Sequence, residues 1–161
     1  MKNLIFIIFI FPILVYGQEG DSKQRVNEIY TLVKLTDSLA KGKKEGIIEG
    51  VITFSHGRKK NFGWEAYFLN ENNNSNLPLR IRYSETNQKG LEDLNLYYHY
   101  GKLIYAELIT THLNRKSKPV KITTKKFNFE NGDVLHAEDP TDSEIDYILQ
   151  KEKILIKSIY K

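Results

Sequence analysis

The sequence predicts an α+β fold: an antiparallel β-meander of about seven strands with an N-terminal and a C-terminal helix. Three observations carry this. Apolar residues recur at helical period over residues 21–40 and again from residue 145 onward. Between these stretches the period drops to two, with β-branched and aromatic residues in short runs. Turn residues separate the runs at spacings too short for helical crossovers, which makes neighbouring strands antiparallel.

The chain has 161 residues, 24 Lys and Arg, 20 Asp and Glu, and no cysteine. That length and composition suit one globular domain. The missing cysteine excludes disulfides, thiolate metal sites and cysteine nucleophiles. The first segment is set apart from the rest. Lys2 precedes an apolar run from Leu4 to Val15, and Val15-Tyr16-Gly17 places small or modest side chains before Gln18. This is the pattern of a secretory signal peptide, and the run is shorter than a bilayer-spanning helix. The sequence therefore reads as a signal peptide over 1–17 and a single α+β domain over 18–161. The protein is expected to be exported, periplasmic or extracellular, with no stable membrane span after cleavage. Without Lys2 the mature charge is 23 − 20 = +3, too mild to point to nucleic acid.

Each element has its own signal. Asp21 with Gln24 has capping-box spacing for a helix that carries Val26, Ile29, Tyr30 and Val33, widened by Leu32, Leu35 and Leu39. Gly42 is placed to stop it. Ile47–Phe54 and Asn61–Leu69 read as strands around a Gly57–Lys60 turn, with Phe62, Trp64, Ala66 and Phe68 on one face. A polar loop is expected over 70–78. Leu79, Ile81 and Tyr83 then point one way, and Arg80 and Arg82 the other, onto a wet face. Leu91–His99 and Leu103–His112 flank Tyr100-Gly101, and Val120–Glu130 and Asp133–Glu138 flank Asn131-Gly132, a type I′ hairpin signal. Thr141 with Glu144 is a second capping box. The terminal helix buries Ile145, Ile148, Leu149, Ile156 and Ile159, with Lys151, Lys153, Lys157 and Lys161 on its wet side.

The two late hairpins repeat one pattern of aromatics, turn glycine, two aliphatics, Ala and Glu. Gly101, Ala106 and Glu107 precede Gly132, Ala137 and Glu138 by 31 positions, whereas pairing Tyr98 and Tyr100 with Phe127 and Phe129 implies a second turn longer by two residues. The segments YYHYGKLIYAE and FNFENGDVLHAE, after a signal ending Tyr-Gly-Gln, resemble small exported Bacteroidetes proteins with β-hairpin units of the form YF-x-x-G-K-L-I, loosely similar to MORN-type repeats. The resemblance covers residues 94–139 and the signal, and implies no catalytic residue.

The chemistry-bearing residues are sparse. His56, His99, His112 and His136 lack metal-ligand spacing, and no serine-nucleophile or phosphate-loop motif occurs. No metal or cofactor is expected. The weak catalytic candidates are His136 and Glu138, an i, i+2 pair on one strand face, with Glu107. The ligand-binding candidates are Arg80, Arg82, Tyr97 and Tyr105, on the sheet face expected to be wet. The reading these residues favour is a non-catalytic exported binding module of the bacterial cell envelope, meeting a protein or an anionic polymer. The alternatives are a secreted hydrolase using a His/Glu site and a protein inhibitor or immunity-type factor.

Overall fold

The structure, a computed structural model, describes residues 4–54, 60–71, 74–87 and 90–160, with side chains over 22–53, 62–71, 76–87 and 90–160. The elements are α1 (Leu4–Ala40), β1 (Gly46–Phe54), β2 (Lys60–Glu71), β3 (Asn74–Thr86), β4 (Gly90–His99), β5 (Lys102–Leu113), β6 (Pro119–Glu130), β7 (Asp133–Ala137) and α2 (Asp142–Ile159). The seven strands form one open antiparallel sheet in sequence order, β1 to β7. The fold is α+β, with one helix before the sheet and one after it.

Because side chains alternate along a strand, the register divides each strand between two faces. Phe68, Ile81, Leu96, Ala106, Phe127 and Ala137 are successive partners across six strands and form one continuous row. With Tyr83, Leu94, Tyr98 and Phe129 they make the main core, which Ile148 and Leu155 of α2 close from above. The intervening residues face the other way. There Tyr97 and Tyr105 pack with Ile29 of α1, joined by Tyr30, Val33, Ile104 and Leu135. The two helices therefore lie on opposite faces, a three-layer arrangement.

Two glycines shape β1. An added Cβ on Gly46 would sit 2.2 Å from the Phe68 ring, and one on Gly50 would sit 2.7 Å from the Trp64 indole. The β2 rings thus lie directly over the β1 backbone, a cross-strand aromatic–glycine contact.

Both late hairpins turn through two residues with positive φ: Tyr100 and Gly101 (49° and 72°), and Asn131 and Gly132 (54° and 94°). That is the type I′ signature. Each hairpin carries a bulge at the same place, after Tyr97↔Tyr105 in one and after Asn128↔His136 in the other. The repeat is therefore offset by 31 throughout: Tyr98 corresponds to Phe129 and Leu96 to Phe127. The pairing of Tyr98 with Phe127, and the longer second turn it implies, are corrected by these registers. The extra residues, Ile104 and Leu135, both reach the α1 side.

Other differences from the sequence reading have physical causes. The α1 backbone is helical from Leu4, so Asp21 lies inside the helix rather than at its start; Gly17 and Gly20 weaken a helix by about 1 kcal/mol each without ending it. Leu35 and Leu39 are exposed. Much of the expected 70–78 loop is strand, paired as Asn70↔Pro78 and Glu71↔Asn74 across two register shifts. Ladder hydrogen bonds are made by the backbone, so a run of polar residues can still extend a hairpin. Most of the expected Gly57–Lys60 turn lies outside the described residues. The Thr141 box is present as expected: the Glu144 N–H donates to Thr141 Oγ1 (3.3 Å), and the Thr141 N–H donates to Glu144 Oε2 (2.9 Å).

Candidate functional site

Arg80, Arg82, Tyr97 and Tyr105 share one face of adjacent strands, as their alternation requires. The structure brings them together, but under α1 rather than on an open surface. Arg80 Nη1 donates to Asp37 (2.6 Å) and Nη2 to Glu45 (2.8 Å), leaving its side chain 11% exposed. Arg82 also bonds Glu45 and lies 5.3 Å from the centroid of the Tyr67 ring. The Tyr97 hydroxyl donates to Asp37 at 3.0 Å. Burial, with the nearby Asp37 charge, pushes the Tyr97 hydroxyl up to about 12. Tyr105 stacks edge-on between Tyr30 and Tyr97, with centroids 5.8 and 5.6 Å away. The expected wet face is thus closed at this end, because α1 and Glu45 in the loop that follows it supply the apolar and acidic partners that these side chains need. Arg80, Tyr97 and Tyr105 hold the helix, and of the four only Arg82 stays substantially exposed.

Burial pushes the Glu45 carboxyl up, yet Arg80 and Arg82 override it and hold the group below its ordinary value. Arg80 is shifted in the matching sense: desolvation lowers it, and Glu45 and Asp37 more than restore it.

The weak catalytic candidates are not gathered around a concavity. His136 is exposed on β7 opposite Asn128, and Glu138 is exposed just past the strand. Glu107 lies two strands away opposite Lys126 and accepts from Asn95 Nδ2 at 3.2 Å. None of the three lines the trough beside β1 or the hollow between Arg25, His99 and Asn131. Among the described residues, no three His, Asp or Glu side chains converge as metal ligands.

On the α2 face a polar group appears where the sequence suggested a wet helix side. Lys151 Nζ donates to Glu85 and to the Tyr83 hydroxyl, both at 3.0 Å, and stands 4.4 Å from the Tyr83 ring centroid. Tyr83 also donates to Glu85. Burial and Glu85 together push the Tyr83 hydroxyl far up, so it remains a donor. Glu92 sits directly opposite Glu85. The expectation that Lys151 points to solvent is corrected. A signal was present, because Glu85 shares the strand parity of Ile81 and Tyr83, and an inward carboxylate needs a cation from the covering helix.

The remaining surface is the far end of the α1-side face, beyond the helix. Val51, Gly63, Thr86, Leu91, Thr111 and Ile122 occupy one transverse row there, from β1 to β6. Val51 and Ile122 are each 64% exposed, and Leu91 is 37% exposed. The next row holds Glu49, Glu65, Ser84 and Asp93. Over β1–β3 these rows form an open trough of about 550 Å³ lined by Glu49, Val51, Gly63, Glu65, Ser84 and Thr86. A Cβ on Gly63 would meet nothing within 4 Å, so the trough floor is bare backbone.

Comparison with protein-family models, with curated proteins and with solved structures finds no match for this chain. Among the residues with described side chains, no helix is long and apolar enough to cross a membrane.

Proposed function

We propose that this chain is a non-catalytic binding module exported to the bacterial cell envelope, and that it engages a protein partner through the uncovered end of the α1-side face. One observation carries the reading. The same strands that bury Ile81, Leu94, Leu96, Phe127 and Phe129 beneath α2 leave Val51, Leu91 and Ile122 exposed in a single row. Scattered surface apolars need no explanation, but an aligned row rimmed by charge is the pattern of an interaction surface. The row crosses five strand gaps, about 24 Å. The acids beside it, Glu49, Glu65 and Asp93, favour a protein over an anionic polymer. Export rests on the Lys2–Gly17 signal pattern and on the resemblance to exported Bacteroidetes proteins.

The test is capture from the native envelope with protein beginning at Gln18, compared with a Val51→Asp, Ile122→Asp variant. A partner held by the wild type and lost by the variant, with unfolding temperature unchanged, supports the reading. A partner retained by both moves the interface elsewhere. Turnover of any envelope substrate by the purified protein would replace the binding reading with an enzymatic one.

A further inference from the structure

The open sheet has two edges, and they are built differently. β7 covers β6 only at Phe127–Glu130. The uncovered part of β6 begins with Pro119 and carries Lys121, Lys125 and Lys126. Proline and lysine are the usual obstacles to edge pairing. β1 carries neither. Its sequence, GIIEGVITF, holds a single charge at Glu49, and among the described residues it is paired only with β2. Ile47 and Val51 are exposed along it. Alternate residues of such a strand aim N–H and C=O groups outward, a ready template for another strand.

A second observation concerns charge. Glu49 stands directly opposite Glu65. Like charges directly opposite each other are destabilising. No ion pair between described residues involves either carboxylate; Glu65 accepts from the Tyr67 hydroxyl at 3.3 Å. Both acids line the trough beside β1. On the other face the Trp64 and Phe68 rings overlie the β1 glycines, so an added strand there meets aromatic edges rather than bare backbone.

We propose that β1 receives an extended basic segment of a partner protein as an eighth strand, with a lysine or arginine of that segment reaching Glu49 and Glu65. The proposal rests on the protein-partner reading above and names the geometry and charge of the partner. Main-chain pairing gives such a complex its affinity, and alternate side chains give it its selectivity.

The test titrates the isotopically labelled protein from Gln18 onward with two capped hexapeptides of alternating threonine and valine, one with a central lysine and one with a central glutamate. The lysine peptide is expected to shift the β1 amides with millimolar affinity and to bind at least about fivefold more tightly than the glutamate peptide. Glu49→Lys is expected to reverse that preference. It removes a like-charge pair, so the variant is expected to fold. Absence of β1 shifts, equal binding of both peptides, or sedimentation showing β1 engaged by a second copy of this chain would each overturn the proposal. Silent peptides with capture still lost in the Val51/Ile122 variant would remove strand addition and leave the partner face standing. Peptide binding without loss of capture would do the reverse.

Discussion

The two faces of this sheet are made from the same strands, yet they are closed by different means. Under α2 the row from Phe68 to Ala137 is apolar throughout, and Leu94, Leu96, Phe127 and Phe129 are essentially without solvent contact. Under α1 the contacts are tyrosines, ion pairs and a few aliphatics, and they cover only the turn end. Apolar burial is non-directional and close to proportional to area, so the α2 face seals over its central length. The α1 face depends on directional partners. It is closed where Asp37, Glu45, Ile29 and Tyr30 stand, and at its far end leaves Val51, Leu91 and Ile122 exposed. The contrast separates what holds the fold from what the fold leaves uncovered.

The sharpest way to break the contrast is to cut into the sealed face. Phe127→Ala opens a cavity in the middle of the core row and is expected to cost about 3–5 kcal/mol in denaturant unfolding. Next is the ionic closure of the other face. Arg80→Met leaves Asp37 without its cation and Glu45 with Arg82 alone, and a loss of about 1.5–3 kcal/mol is expected. A loss as large as that for Phe127 would show that both faces carry the fold equally. Gly50→Val forces the Trp64 ring off β1 and is expected to cost about 1–3 kcal/mol. Acid should distinguish the faces as well. Glu45 is held below its ordinary value, so its contribution is complete above about pH 4.3, the usual glutamate value, and is lost as pH falls through its depressed folded value. Stability measured against pH should fall more steeply there in the wild type than in Arg80→Met. The smallest effect is local: Thr141→Ala removes the capping box and is expected to cost about 1 kcal/mol, with α2 fraying first in hydrogen exchange.

The fold was readable because its main signals are local. Period-two runs, Asn131-Gly132 and Thr141 with Glu144 each fix a strand, a turn or a helix start from a few neighbouring residues. The repeat was visible in Gly101, Ala106 and Glu107, but its register was not, because the bulges at Ile104 and Leu135 show only in the pairing. The candidate site was legible to a smaller extent. Strand alternation put Arg80, Arg82, Tyr97 and Tyr105 together on one face, but nothing local says which helix will cover that face or how far along it. Lys151 was placed on the wrong side for the same reason: its partners, Glu85 and Tyr83, are 66 and 68 residues away in sequence.

In this arrangement the row at the bare end of the α1-side face is spare for the fold. Denaturant unfolding of a Val51→Thr, Ile122→Thr double variant tests it most directly, since threonine keeps the β-branched shape and removes apolar surface. Stability is expected to stay within about 1 kcal/mol of the wild type, with an unchanged denaturant slope. A loss of about 3 kcal/mol or more would place the row in the core and contradict it.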